Sequence, residues 1–156
     1  MQSTVWTGLL LLNAAWFALG ARFFCLDSLR ARFFCLDSLR AARLLVAKTD
    51  RASSLLPAIA GAVRFLGAMN LAWLVFCLVL LAGHGLFETP AQRASMAAVL
   101  ALVHAGQFAV NAHMVGQHRR GRPGSWVVLR GPMRLIFFVD LAFAVADAAF
   151  VVWVLG

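Results

Sequence analysis

Four apolar stretches dominate the sequence and leave little of the chain outside them. A helix needs about 20 mainly apolar residues to cross the hydrocarbon of a bilayer, and each stretch is long enough. The sequence therefore predicts an all-α fold, a polytopic membrane four-helix bundle that forms a single domain over residues 1–156. The predicted spans are Val5 to about Leu26, about Pro57 to Leu81, about Pro90 to Val115, and Leu135 to Leu155.

The composition is that of a membrane protein rather than of a soluble domain. Of the 156 residues, 63% are hydrophobic and 13% are charged, and the mean hydropathy is +0.86. A typical soluble domain is about 25% charged and about 45–50% apolar. Because the four spans use most of the chain, we expect no separate soluble catalytic domain within it.

Positive charge is concentrated in two of the three segments that connect the spans. Twelve of the 14 Lys and Arg residues lie in residues 22–51 or 119–134. Lys and Arg accumulate on the cytoplasmic side of membrane proteins. The pattern predicts that segments 27–56 and 116–134 are cytoplasmic and that both termini lie outside. We expect a protein of the inner (plasma) membrane of a bacterium.

These basic segments also indicate the partners of the protein. The net charge is +8, and basic segments beside a membrane span are attracted by anionic lipid headgroups. Membrane lipids are therefore the expected partners, together with a homo-oligomer or a larger membrane complex. Nucleic acid is not expected, because the charge flanks apolar spans rather than covering one face of a basic domain.

A ten-residue sequence, ARFFCLDSLR, occurs twice in tandem, at residues 21–30 and 31–40. Repeat folds need at least three copies of longer units, so a recent duplication explains it better. Within the repeat, apolar residues recur at helical spacing, and acidic and basic residues fall elsewhere on the helix. This pattern predicts an amphipathic helix at the membrane interface after the first span; a solvated helical linker is the alternative. The apolar positions are Leu26, Leu29, Phe33 and Leu36.

Polar residues inside the spans are the candidate functional residues. Charged and polar side chains are costly in hydrocarbon, so they usually face the bundle interior. Matching their depths across the four spans predicts two layers of an interior polar site, a candidate substrate or proton site. One layer contains Arg64, Gln107, Asn111 and Asp140, and the other contains Asn13, Asn70, His104 and Asp147.

The two aspartates of the last span have different predicted partners. Asp140 shares its depth with Arg64, which predicts an interhelical ion pair that is either a structural lock or part of a substrate or ion site. Alternatively, Arg64 extends to the headgroups beside a protonated Asp140. Asp147 has only His104 as a titratable neighbour at its depth. A proton relay and a simple hydrogen bond from a protonated Asp147 to Asn70, His104 or Asn13 both remain open.

Two further patterns have structural interpretations. Small residues at helical spacing in the third span permit close helix packing, either within the bundle or between two copies. The tryptophans include plausible interface anchors, chiefly Trp6, Trp126 and Trp153. None of them needs a ligand to explain it. The small residues are Ala98, Ala101, Ala105, Ala109 and Ala112.

No sequence motif indicates a particular enzyme or cofactor. The chain lacks a zinc-protease motif, a nucleophile elbow and a phosphate-binding loop, and Cys25, Cys35 and Cys77 do not have metal-site spacing. Only His104 lies deep in a span, so paired histidine ligation of haem is not supported. We expect no cofactor and no metal.

Three functions remain open from the sequence. The first is a structural or accessory helix bundle with an interior polar site. The alternative is a proton-linked or small-solute membrane transporter that uses Asp147 with His104 and Arg64 with Asp140. A membrane-embedded enzyme that acts on a lipid is the third.

Overall fold

The computed structural model describes residues 2–25, 38–46, 51–83, 87–122 and 126–156. These residues form helices and contain no strand, which confirms the all-α prediction. The helices are α1 (Gln2–Cys25), α2 (Ser38–Leu45), α3 (Leu56–Ala82), α4 (Pro90–Arg119) and α5 (Gly131–Leu155). Four of them, α1, α3, α4 and α5, are long and apolar enough to cross a membrane.

The long helices begin where the local sequence favours a helix start. Pro57, Pro90 and Pro132 each lie in a first turn, where the missing backbone N–H of proline would have no helical partner anyway. At α4 the start is reinforced by reciprocal hydrogen bonds. The Gln92 N–H donates to Thr89 Oγ1 (3.2 Å), and the Thr89 N–H donates to Gln92 Oε1 (3.1 Å). This arrangement is a capping box.

The four long helices associate as two close pairs. Helix α1 packs most extensively against α3, and α4 packs most extensively against α5, whereas the backbones of α1 and α5 approach each other at only a few positions. Gly20 shows how close the first pair is, because a Cβ atom at this position would collide with Asn70 Oδ1. Side chains therefore have to fill the wider space between the two pairs.

Two apolar clusters fill the bundle, one towards each end. The first apolar cluster joins the beginnings of α1 and α4 to the ends of α3 and α5, so consecutive long helices run in opposite directions. The second apolar cluster joins the end of α1 and the beginnings of α3 and α5 to α2. The first contains Trp6, Leu10, Ala14, Phe17, Cys77, Leu80, Ala97, Leu100 and Phe150. The second contains Phe24, Ala41, Ala42, Leu45, Val46, Leu56, Ala60, Val63 and Met133.

Large apolar side chains also cover the outside of the bundle. Phe65 is 70% exposed and Leu102 is 72% exposed, and similar residues occur on all four long helices. Large contiguous apolar surfaces are rare on soluble monomers and mark membrane or protein contacts. The outer surface is therefore consistent with a membrane protein.

Helix α2 and the residues that precede α5 contact each other, so parts of the two basic segments, 27–56 and 116–134, lie at the same end of the bundle. Helix α2 buries Ala41, Ala42 and Leu45 in the second apolar cluster, and the Val127 N–H donates to the Leu45 carbonyl oxygen (3.2 Å). Most of the predicted interfacial helix, including Leu26, Leu29, Phe33 and Leu36, lies outside the described residues.

The predicted stripe of small residues on α4 does not lie in the interior. Ala105 and Ala109 are exposed, and the other three alanines of the stripe are half-buried. The fully buried alanines of α4 are Ala94 and Ala97, so these two alanines, rather than the stripe, face the interior.

Candidate functional site

His104 is the centre of a hydrogen-bonded network between the two helix pairs. Its side chain on α4 is fully buried. The Nδ1 atom lies 3.0 Å from Asp140 Oδ1 on α5, and the Nε2 atom lies 2.9 Å from Asn13 Oδ1 on α1. One imidazole ring thus connects a helix of the α1–α3 pair with both helices of the α4–α5 pair.

Asn13 extends the network to the second aspartate. Its Nδ2 atom donates to the carbonyl oxygen of Leu9 (3.0 Å) and to Oδ1 and Oδ2 of Asp147 (3.2 and 3.4 Å). A backbone carbonyl oxygen can only accept, so the amide nitrogen must be the atom that faces Leu9. Asn13 Oδ1 is therefore an acceptor, and His104 Nε2 carries a hydrogen.

Asp140 accepts a further hydrogen bond from an indole. Trp16 Nε1, one turn after Asn13 on α1, donates to Asp140 Oδ1 (3.1 Å). The other carboxylate oxygen, Oδ2, is buried and has no hydrogen-bond partner among the described residues. Asn13, His104, Asp140 and Asp147 all have 0% exposure. The site is thus sealed by the protein itself.

Aromatic rings enclose the imidazole on both faces. Phe17 stacks on His104 with ring centroids 5.1 Å apart and an angle of 14° between the planes. Phe143 stacks with a 4.9 Å separation and a 21° angle. These contacts fix the plane of the ring and exclude water. They also suit a protonated ring, because aromatic faces attract cations.

The contacts determine how many protons the His104–Asp140 pair holds. With a hydrogen on Nε2, the short contact between Nδ1 and Oδ1 needs a second hydrogen between these two atoms. The pair is then either an imidazolium with a carboxylate or a neutral imidazole with a carboxylic acid. Its net charge is zero in both forms, and the proton can move between the two atoms without a change in charge.

The network does not provide a continuous proton path between the aspartates. Asn13 lies between His104 and Asp147, and a primary amide does not readily accept a proton from imidazole and release another. Within this network, the direct contact between two ionisable side chains is that of His104 with Asp140. Asp147 is connected to that pair through hydrogen bonds rather than through a transferable proton.

The structure brings together four of the eight predicted site residues, Asn13, His104, Asp140 and Asp147. The other four lie elsewhere. Asn70 is buried, but its Nδ2 atom donates to the Leu66 carbonyl oxygen of its own helix (2.8 Å). Asn111 accepts a hydrogen bond from Trp126 Nε1 (2.9 Å). Gln107 is half-buried, and Arg64 is exposed on α3.

The expected Arg64–Asp140 pair is therefore replaced by other contacts. Asp140 lies against His104 and Trp16, whereas the side chain of Arg64 is exposed. The reason is the pairing of the helices, since α3 packs mainly against α1 and α2 and not against α5. The two predicted layers are also not separate, because His104 bridges from Asn13 to Asp140.

Trp16 is the site residue that the sequence reasoning missed. The sequence pattern includes it only among the tryptophans that need no ligand to explain them. Its position carries a usable signal, however, since Asn13 and Trp16 lie on the same face of α1. An indole N–H in the middle of an apolar span has no water to bond and must find an acceptor.

Two adjoining cavities lie beside the network, on the side of the second apolar cluster. The first cavity has a volume of about 320 Å³ and reaches Trp16, Asn70 and Gln107. The second has a volume of about 390 Å³ and reaches Asn111 and Trp126. Both cavities are lined in part by Phe24, Gln107 and Ile136.

The described residues contain no cluster of three or more His, Cys, Asp or Glu side chains with metal-site geometry. Comparisons of the chain with protein-family models, with curated proteins and with solved structures found no match.

Proposed function

We propose that this chain is an integral membrane protein in which the buried network locks two pairs of membrane-spanning helices together. In this proposal it acts as a structural or accessory bundle. The observation that carries the proposal is the position of the network. Asn13 comes from one pair, His104, Asp140 and Asp147 come from the other, and all four side chains are fully buried.

The physics of helix association in lipid supports this role. Apolar contacts between helices gain little there, because lipid tails are as apolar as leucine. Interhelical hydrogen bonds contribute about 0.6 to 2 kcal/mol each, and two direct contacts of the network join α1 to the α4–α5 pair through His104 and Asp147. A third joins α1 to Asp140 through Trp16. These bonds would orient the two pairs as well as hold them.

The proposed topology has both termini outside, in the inner membrane of a bacterium. It is supported by the contact between Val127 and Leu45, which holds the two basic segments at one end of the bundle. We further propose that the segment containing α2 lies at the membrane interface as an amphipathic helix. Reporter fusions at each terminus test the orientation, and a cytoplasmic signal from either terminus contradicts it.

Replacement of His104 by phenylalanine tests the lock. Phenylalanine keeps the stacking on Phe17 and Phe143 but leaves Asp140 and Asn13 without their shared partner. Removing one member of a buried pair costs about 3–5 kcal/mol, so the free energy of unfolding in SDS titration should fall by that order. Leu102→Phe, on the exposed face of the same helix, is the control and should change little. Equal effects of the two variants contradict the lock.

A proton-linked carrier is the second candidate, because Trp16 lines the first cavity and donates to Asp140, which can share a proton with His104. Asp140→Asn removes that exchange and keeps a side chain of similar size. For a carrier, this variant should remain folded and lose pH-dependent solute uptake in proteoliposomes. For a lock alone, neither the wild-type protein nor the variant should show pH-dependent uptake.

A further inference from the structure

The first cavity lies next to the polar network, on the side of the second apolar cluster. Trp16, which lines it, is the residue that donates to Asp140. Gln107 follows His104 by three residues on α4, and Ile136 precedes Asp140 by four residues on α5. Trp16 thus belongs to the network, and Gln107 and Ile136 each lie about one helical turn from a member of it. An occupant of the cavity would touch Trp16, which donates to Asp140.

The mouth of the cavity is formed by apolar residues on the outside of the bundle. Leu19 on α1 is 56% exposed and Leu135 on α5 is 61% exposed, and both line the cavity. They lie on the two helices whose backbones approach each other at only a few positions. If the helices cross a bilayer, this mouth opens sideways to the acyl chains rather than to water.

One basic side chain marks the edge of the same cavity. Arg22 lies in the last turn of α1, is exposed, and lines the cavity. In a spanning helix, a long basic side chain near the helix end extends to the headgroup region. The cavity thus combines a mainly apolar lining, to which Asn70 and Gln107 add two amides, with an apolar side entrance and a positive charge at its rim.

We infer that this cavity binds one acyl chain of an anionic phospholipid, with the phosphate beside Arg22. The inference rests on the proposed placement of the helices in a membrane. A volume of about 320 Å³ is at the lower limit of ligand pockets, about 300–1,000 Å³, and suits part of one chain rather than a whole lipid. The end of the acyl chain contacts Trp16. A bound lipid therefore alters the hydrogen bond that Trp16 donates to Asp140.

Quenching of tryptophan fluorescence by brominated lipids tests the site. One variant retains only Trp16 and a second retains only Trp153, which is 42% exposed on α5; phenylalanine replaces the other tryptophans. Each is placed in phosphatidylcholine nanodiscs that contain a small fraction of lipid with brominated chains. The brominated lipid is either phosphatidylglycerol or phosphatidylcholine.

The expected result is a headgroup preference at Trp16 alone. One basic side chain near an anionic headgroup contributes about 1 kcal/mol, which corresponds to about a fivefold difference in affinity. At the same mole fraction, brominated phosphatidylglycerol should therefore occupy the site about fivefold more than brominated phosphatidylcholine. Trp153 should be quenched equally by both lipids. Equal quenching of Trp16 by both lipids overturns the lipid site and leaves the membrane placement standing. Absence of quenching at Trp153 overturns the membrane placement itself.

A matched pair of arginine variants tests whether the preference for phosphatidylglycerol arises at the cavity. Arg22→Gln should abolish it, whereas Arg134→Gln should retain it, because Arg134 is exposed in the first turns of α5 without lining the cavity. The same pair is measured in the otherwise unchanged chain by native mass spectrometry, which counts bound phosphatidylglycerol without tryptophan replacements. Equal losses of bound lipid in the two variants overturn the assignment.

Discussion

Two tryptophan hydrogen bonds inside the bundle have very different surroundings. Trp16 donates to Asp140, whose carboxylate also contacts a stacked imidazole and is sealed from solvent. Trp126 donates to Asn111, a neutral amide that lines the second cavity. The first bond belongs to a connected network of ionisable groups. The second is a single contact between neutral groups.

This difference divides the bundle into a coupled region and an independent one. Side chains in a hydrogen-bonded network support one another, so removal of one member disturbs several contacts. The network of Asn13, Trp16, His104 and Asp140 should behave in this way, whereas Asp147 lies at its edge and is hydrogen-bonded only to the Asn13 amide among the described residues. The Trp126–Asn111 contact should behave as one separable hydrogen bond.

The largest expected difference comes from apolar replacement of the two acceptors. Asp140→Leu leaves the Trp16 N–H and the His104 ring without their acceptor in a sealed interior, and should lower the free energy of unfolding by about 3–5 kcal/mol. Asn111→Leu removes one neutral hydrogen bond beside a cavity, and should lower it by about 1 kcal/mol. SDS titration of both variants measures the two values. Similar losses would mean that the network is not coupled.

A smaller difference is expected when the two donors are replaced. Trp16→Phe removes a hydrogen bond to a group that is charged or shares a proton, worth about 1.5–3 kcal/mol. Trp126→Phe removes a bond between neutral groups, worth about 0.5–1.5 kcal/mol. Thermal unfolding in detergent, followed by circular dichroism, compares the two variants. A greater loss for Trp126→Phe would reverse the assignment of the two regions.

The long helices could be predicted because their signals are local. Length and hydropathy are properties of each segment, and Pro57, Pro90 and Pro132 mark the starts of α3, α4 and α5. None of these signals depends on which helix is the neighbour. The inward position of His104 and Asp140 could be predicted for a similar reason, since hydrocarbon excludes such groups wherever the helix packs.

The contacts of the site could not be predicted from depth alone. Arg64 and Asp140 have similar predicted depths in the membrane. Because α3 pairs with α1, however, Arg64 is exposed, and Asp140 contacts His104 and Trp16. That pairing depends on non-local packing, such as the fit of Gly20 against Asn70. The depth of Trp16 indicates that its indole N–H needs an acceptor, but depth does not show that this acceptor is Asp140.

A small effect is also expected at Asp147, the aspartate at the edge of the network. Its carboxylate accepts hydrogen bonds only from the Asn13 amide among the described residues. In Asp147→Asn the new side-chain oxygen can accept the same bond, so the loss in unfolding free energy should be about 0.5–1.5 kcal/mol. It should be clearly smaller than the loss for Asp140→Leu in the same SDS titration. An equal loss would place Asp147 inside the coupled region and would require a direct connection to the His104–Asp140 pair.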